Sequence, residues 1–352
     1  MKFVYNSFNG RYSDNPRAIH RAMLRRGGRH EHVWLLDERH RAGFPRGVST
    51  VPIASHAAVA ALEAADVLVA NCHTDLDSWE KRPGTTYLQT WHGTPLKRIH
   101  RAALQGWGVE VMDVLDTEIE RWDRLITPSR AGTQLLRSAF GYTGAVLETG
   151  YPRNDVLVGA GRDERRAQVR RRLGIADDTT AVLYAPTYRD DELDGADVPL
   201  ALDTDALAGR LGDGHVLLLR LHYFLGHRRT ATRGPHIQDL SSHPEIADLY
   251  LAADVLVTDY SSALFDFAVT GKPILLYTYD LEHYRDRLRG FTVDLEAEAP
   301  GPLLHDQLQL TEALLDLPQV VAAYEERYAA FRERYCHLED GHATERVLAT
   351  LQ

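Results

Sequence analysis

Short apolar runs of strand length alternate with helical periodicity along most of this chain, and few folds accommodate that rhythm. KFVYNSF, HVWLLD, VLVANC, TYLQTWHG, RLITPS and AVLETGYP succeed one another in the first half, with helical patterns over 16–26, 57–65 and 130–140. A polar break follows near 158–162. The pattern then restarts with AVLYAPTYR, HVLLLRLH, DVLVTDYS and PILLYTYD, and with helices over 206–211, 245–252 and 262–270. Strands that are apolar on both faces need helices on both faces, which is the arrangement of a parallel sheet. The sequence therefore predicts an α/β fold of two doubly wound, Rossmann-like domains facing across a cleft. At about 150 residues per domain, 352 residues suffice for two. The tail over 311–352 reads as helical with a break near 336–341.

Charge and cysteine content narrow the ligand and the setting. A formal net charge of -10 argues against a surface that neutralises nucleic-acid phosphates, although a local anion site is compatible with it. Cys72 and Cys336 are too isolated for a disulfide framework or a thiolate metal site. The opening MKFVYNSFNG lacks the apolar core of a signal peptide, and the longest apolar stretch, 57–70, contains Glu63 and Asp66. These features predict a cytoplasmic protein without a membrane span.

Ligands of doubly wound sheets bind outside the carboxyl ends of the strands, so polar residues at strand ends are the candidates. Four places qualify: His92 after TYLQTW, the Pro186–Arg189 segment after AVLYA, His222 after HVLLLRL, and Asp259–Ser262 after VLVT. A strand-end imidazole accepts a proton near neutral pH, or it is a structural histidine bonded to a nearby carbonyl. His92 and His222 share that ambiguity. Ser261 or Ser262 is the N-cap of the helix that follows, either as a plain cap or as part of an anion site built from exposed N–H groups and the helix dipole. Arg189 has the planar fork of a phosphate clamp, or it pairs with Asp190 or Asp191. Asp75-Leu76-Asp77 and Asp203-Thr204-Asp205 read as loop or helix-start carboxylates. No HExxH, Walker or GxSxG pattern occurs, and neither a metal nor another cofactor is indicated.

With these residues in view, the chain resembles the CDP-glycerol glycerophosphotransferase family of teichoic acid primases and polymerases. The resemblance rests on many short segments in one order. They are Tyr12-Ser13-Asp14-Asn15-Pro16, the WHGTPLK segment at 91–97, Gly150-Tyr151-Pro152-Arg153-Asn154-Asp155, Tyr184-Ala185-Pro186-Thr187-Tyr188-Arg189 and Leu221-His222, then Thr258-Asp259-Tyr260-Ser261-Ser262 with Phe265-Asp266 and Gly271-Lys272-Pro273. Tyr279-Asp280-Leu281-Glu282, Pro300-Gly301-Pro302 and Asp340-Gly341-His342-Ala343-Thr344-Glu345-Arg346 complete the series. Related sequences often carry proline directly after the second histidine, where this chain has Tyr223. Longer members of the family carry further N-terminal domains or membrane-targeting segments, and this chain corresponds to little more than the catalytic module.

The resemblance implies a GT-B architecture, with an acceptor-side domain over 1–152, a CDP-donor domain over 153–352, and a final helix, 341–352, crossing back to the first. It implies that His92 and His222 are catalytic and that Arg189, Thr258, Ser261 and Ser262 hold the donor diphosphate. Thr94, Lys97 and Asp259 become candidate donor or acceptor contacts. The implied reaction moves glycerol phosphate from CDP-glycerol to a hydroxyl of a lipid-linked cell-wall or capsule polymer, releasing CMP without a metal. The setting would be the cytoplasm, peripheral to the inner membrane face. The segment 107–112 is apolar enough to touch a membrane or to pack in the core. Competing readings are a CDP-ribitol transferase, a GT-B nucleotide-sugar glycosyltransferase or epimerase, and a nucleotide-binding module without turnover.

Overall fold

A computed structural model of the chain describes residues 1–74, 79–103, 109–189, 200–221 and 236–351. They form two compact units. Unit 1 comprises Met1–Thr94, Gly106–Asp155 and His337–Gln352, and unit 2 comprises Pro95–Gln105 and Val156–Cys336. Residues 95–105 belong with unit 2, and residues 337–352 belong with unit 1.

Unit 1 is built on seven parallel strands: β1 (Lys2–Asn6), β2 (Glu31–Leu36), β3 (Thr50–Pro52), β4 (Val67–Ala70), β5 (Thr86–Gln89), β6 (Arg124–Thr127) and β7 (Ala145–Glu148), in the order β3-β2-β1-β4-β5-β6-β7. Unit 2 has six: β8 (Thr180–Ala185), β9 (His215–Leu219), β10 (Ile237–Asp239), β11 (Val255–Thr258), β12 (Ile274–Tyr277) and β13 (Leu303–Leu304), in the order β10-β9-β8-β11-β12-β13. All pairings are parallel, with Asn6 beside Ala70 and Ala185 beside Thr258. In both sheets the order reverses beside the first strand of the unit, between β1 and β4 and between β8 and β11. Such switch points open a crevice at the carboxyl edge.

The strands are apolar on both faces because helices cover both. Phe3, Tyr5, Val67, Val69 and Leu88 pack in unit 1 with Ile19 and Met23 of helix Asp14–Arg26 and with Val347 and Leu348 of helix Ala343–Ala349. The latter helix is capped by Asp155, whose carboxylate accepts the N–H groups of Ala343 and Thr344 at 2.9 and 2.8 Å. Glu339 accepts from the Tyr151 N–H at 3.1 Å and from Asn154 Nδ2 at 3.2 Å. Gly150 is required at this junction, since it takes φ +81° and a Cβ there would lie 2.6 Å from the Leu338 carbonyl oxygen. In unit 2, Val182, Tyr184, Leu217, Val255, Val257 and Leu275 form the corresponding core.

Candidate active site

In unit 1, β5 ends at Gln89 and the chain turns through Thr90-Trp91-His92-Gly93-Thr94. Trp91 takes φ +47°, a left-handed conformation that costs an L-residue of this size roughly 1–2 kcal/mol. Three hydrogen bonds hold it there. Its N–H donates to Gln89 Oε1 at 2.9 Å, and its carbonyl accepts from Thr90 Oγ1 at 3.1 Å and from Asn15 Nδ2 at 3.2 Å.

The indole of Trp91 stacks on the His92 imidazole with centroids 4.2 Å apart, and Phe8 lies 5.3 Å away. His92 Nδ1 is 2.6 Å from the carbonyl oxygen of Asn71, the residue after β4. A carbonyl oxygen only accepts, so Nδ1 carries the hydrogen and Nε2 of the neutral ring carries the lone pair. The carbonyl bond expected of a structural histidine thus sets the tautomer required of a base. Backbone strain gathers beside the same β1–β4 switch point: Phe8 and Asn9 take φ +43° and +52°, and the Asn71 side chain accepts the Phe8 N–H at 2.9 Å. Residues held in such conformations concentrate at functional sites. Thr94 is 1% exposed, and its hydroxyl has no hydrogen-bond partner among the described residues.

In unit 2 the candidates separate into two kinds. The Arg189 side chain is 4% exposed, and its fork is bidentate on Asp280, with Nε–Oδ2 2.7 Å and Nη2–Oδ1 3.0 Å. Its Nη1 donates to Asp259 Oδ2 at 2.9 Å and to the Thr187 carbonyl at 2.7 Å. The rings of Tyr260, Tyr279 and Tyr284 surround the guanidinium at 5.1, 5.2 and 4.9 Å. Burial works against the charge, but Asp259 and Asp280 overcome it and keep the group firmly protonated. The fork is thus engaged by two carboxylates, and its donors join the ends of β8, β11 and β12.

Asp259 and Thr258 are likewise occupied. Asp259 accepts from the backbone N–H groups of Thr187 and Tyr260 at 2.8 and 2.6 Å. Thr258, fully buried, donates its hydroxyl to the Ala185 carbonyl at 2.7 Å and ties β11 to β8. The serines differ from each other. Ser261, one residue before the N-cap position, accepts the Ala263 N–H on its Oγ at 3.2 Å at the start of the six-residue helix Ala263–Ala268. Ser262, half-buried, makes no side-chain capping bond.

Lys97 forms an antiparallel bridge with Phe291 and sets its ammonium 5.6 Å from the centre of the Tyr188 ring. Leu96 accepts the Thr292 N–H at 2.9 Å, so the WHGTPLK segment begins in unit 1 and ends zipped to unit 2 backbone. His222, Asp75, Asp77 and the side chains of residues 107–111 lie outside the described residues. Asp203 is a helix-start carboxylate, accepting the Ala206 N–H at 3.0 Å. Among the described residues no three His, Cys, Asp or Glu side chains converge as metal ligands, and no helix is long and apolar enough to cross a membrane. The sequence alone assigns no role at the site to Asn15, Asn71 or Asp280. Asn71 and Asp280 immediately or closely follow strands, and that position is the signal that could have found them.

A family model described as CDP-glycerol:poly(glycerophosphate) glycerophosphotransferase matches residues 2–352. The chain belongs to this family. It is 37% identical to the teichoic acid glycerol-phosphate transferase of Staphylococcus aureus, over 99% of this chain and 92% of that protein. It is 35% identical to the teichoic acid poly(glycerol phosphate) polymerase of Bacillus subtilis over 99% of this chain but 48% of that protein, and so spans about half of that relative. A structure of the wall teichoic acid polymerase TagF soaked with CDPG superposes with TM-score 0.90 at 33% identity, covering 99% of this chain and 88% of that one. Two parallel, doubly wound sheets and this likeness establish the GT-B-like fold, and the family is one of transferases.

Proposed function

We propose that this chain transfers glycerol phosphate from CDP-glycerol to a hydroxyl of a cell-wall polymer, with release of CMP. The observation that carries the reading is His92. Its ring is clamped by Trp91 and its Nδ1 is bonded to the Asn71 carbonyl, beside a switch point, in a chain that belongs to this family over nearly its full length. The acceptor hydroxyl gives its proton to His92 Nε2 while its oxygen attacks the phosphorus that bears glycerol. The bond from that phosphorus to the bridging oxygen breaks, and CMP leaves with the electron pair. Such transfers depend mainly on positioning and charge stabilisation.

The turn at Ser261 and Ser262 meets the donor diphosphate, Ser262 through a hydroxyl not used for capping, and His222 supports the leaving phosphate. Arg189, Asp259 and Thr258 fix the backbone of that turn. As proposed, the step needs no metal or other cofactor. The acceptor is lipid-linked and is met at the cytoplasmic membrane face.

The test is a donor screen with CDP-glycerol, CDP-ribitol and UDP-sugars on a polyglycerol-phosphate primer, reading nucleotide release and product mass. CMP release with product growth by glycerol phosphate units is expected. His92→Ala should lower turnover about a hundredfold to ten-thousandfold with donor affinity retained. Release of UDP alone would overturn the reading in favour of a glycosyltransferase or epimerase. CDP-glycerol binding without turnover would leave a nucleotide-binding module.

A further inference from the structure

We infer that Asn15 is a positioning residue for His92, an inference that rests on the assignment of His92 as the base. Asn15 is in the first turn of helix Asp14–Arg26, where asparagine commonly faces water, yet it is fully buried. Both ends of its amide are used over long stretches of chain. Nδ2 donates to the Trp91 carbonyl at 3.2 Å, and Oδ1 accepts the Arg153 N–H at 3.1 Å. Arg153 in turn donates through Nη1 to both carboxylate oxygens of Asp14, at 3.1 and 3.0 Å, in a pair almost closed to solvent. Asp14 itself takes φ +61° and accepts the Asn15 N–H at 2.7 Å.

The carbonyl that Asn15 grips belongs to the peptide joining Trp91 to His92. Rotation of that peptide would change ψ of Trp91 and φ of His92, turn the imidazole off the indole and swing His92 Nδ1 away from the Asn71 carbonyl. Thr90 Oγ1 also reaches the Trp91 carbonyl, but its single hydrogen is shared with the Ala70 carbonyl, likewise 3.1 Å away. Asn15 is anchored outside the turn, on Asp14 and Arg153, and supplies the fixed reference. Three separate segments, 12–16, 91–97 and 150–155, thereby act together to set the orientation of a single imidazole.

The experiment uses the full chain with Asn15→Asp, which keeps the shape and the bond from Arg153 but removes the donor to Trp91, and with Asn15→Ala, which adds no buried charge. Thermal melting, CDP-glycerol affinity, turnover and the 15N shifts of the His92 ring are measured on each. Expected are a tenfold to hundredfold fall in turnover, donor affinity within about twofold, and His92 ring shifts moving from a single Nδ1–H tautomer toward a mixture. A folded variant with unchanged turnover and an unchanged His92 tautomer would overturn the inference. Should Asn15→Asp not fold, Asn15→Ala decides by the same readings. Failure of the underlying assignment is distinguishable: His92→Gln would then retain turnover, whatever the Asn15 variants do to the ring shifts.

Discussion

Arginine and serine look equally suited to a phosphate in the segments after β8 and β11, and burial separates them. Arg189 sits between Asp259 and Asp280 with its side chain 4% exposed, so its removal leaves two carboxylates without a counter-charge in a closed site. Breaking a buried pair in this way costs about 3–5 kcal/mol. Arg189→Met should therefore lower the melting temperature markedly, whereas Ser262→Ala should leave it unchanged and weaken CDP-glycerol binding about tenfold, the loss of one hydrogen bond to a charged group. Melting curves and donor titrations on the two variants check this. An Arg189→Met protein that melts like the parent and loses only donor affinity would assign the fork to the donor phosphate. His92 is legible in the sequence because a strand end is visible as the close of an apolar run. The occupation of Arg189 is not, since its bidentate partner is Asp280, 91 residues along the chain in the turn after β12.

Elements carried by an apolar pattern are visible in the sequence, and those carried by ion pairs are not. Helix Arg130–Phe140 shows its full extent because Leu136, Ala139 and Phe140 make a buried stripe. Helix Arg162–Leu173 has no such stripe to announce it. It is held instead by Arg165 on Asp248 and by Arg166 and Arg170 on Asp254, partners that only the fold brings near. The edge strands Thr50–Pro52, Ile237–Asp239 and Leu303–Leu304 are too short to establish a period. Helix Asp14–Arg26 shows a further consequence of packing. His20, 2% exposed, has its Nδ1 3.1 Å from the Tyr12 hydroxyl and its ring 5.0 Å from that of Tyr5. Burial, and secondarily His32, push its pKa down to about 4 from 6.5. The unfolded chain gains a proton as pH falls through 6.5, while the folded chain keeps His20 neutral until about 4. Stability is thus full above about pH 6.5 and is lost progressively toward about pH 4, by about 3 kcal/mol at most from this group. In His20→Phe the difference in melting temperature between about pH 7 and about pH 4.5 should shrink. An equal difference in both proteins would place the acid sensitivity elsewhere.

Across the whole molecule, the two-domain α/β plan is legible from the restart of the strand pattern, but the path of the chain between the units is not. Apolar periodicity shows that a helix buries a face and not which sheet it is buried on. Val347, Leu348 and Leu351 are buried in unit 1 with Phe3, Tyr5 and Ile19, and burial of such side chains contributes about 1.5–3 kcal/mol each. Against a total stability of about 5–15 kcal/mol, a chain ending at 336 should lose the cooperative melting of unit 1. Thermal unfolding followed by circular dichroism would show it, and a truncated protein with the full-length transition would refute it. The same feature orders events during synthesis. Residues 337–352 leave the ribosome after all of unit 2, so the sheet of unit 1 is translated before that of unit 2 yet finished after it, and β1 to β7 wait with the Phe3 and Tyr5 face covered by helix Asp14–Arg26 but not by Val347 and Leu348 while residues 156–336 are made. A chain interrupted anywhere in that interval carries an incomplete first unit, whose exposed apolar face marks it for removal by chaperones and proteases.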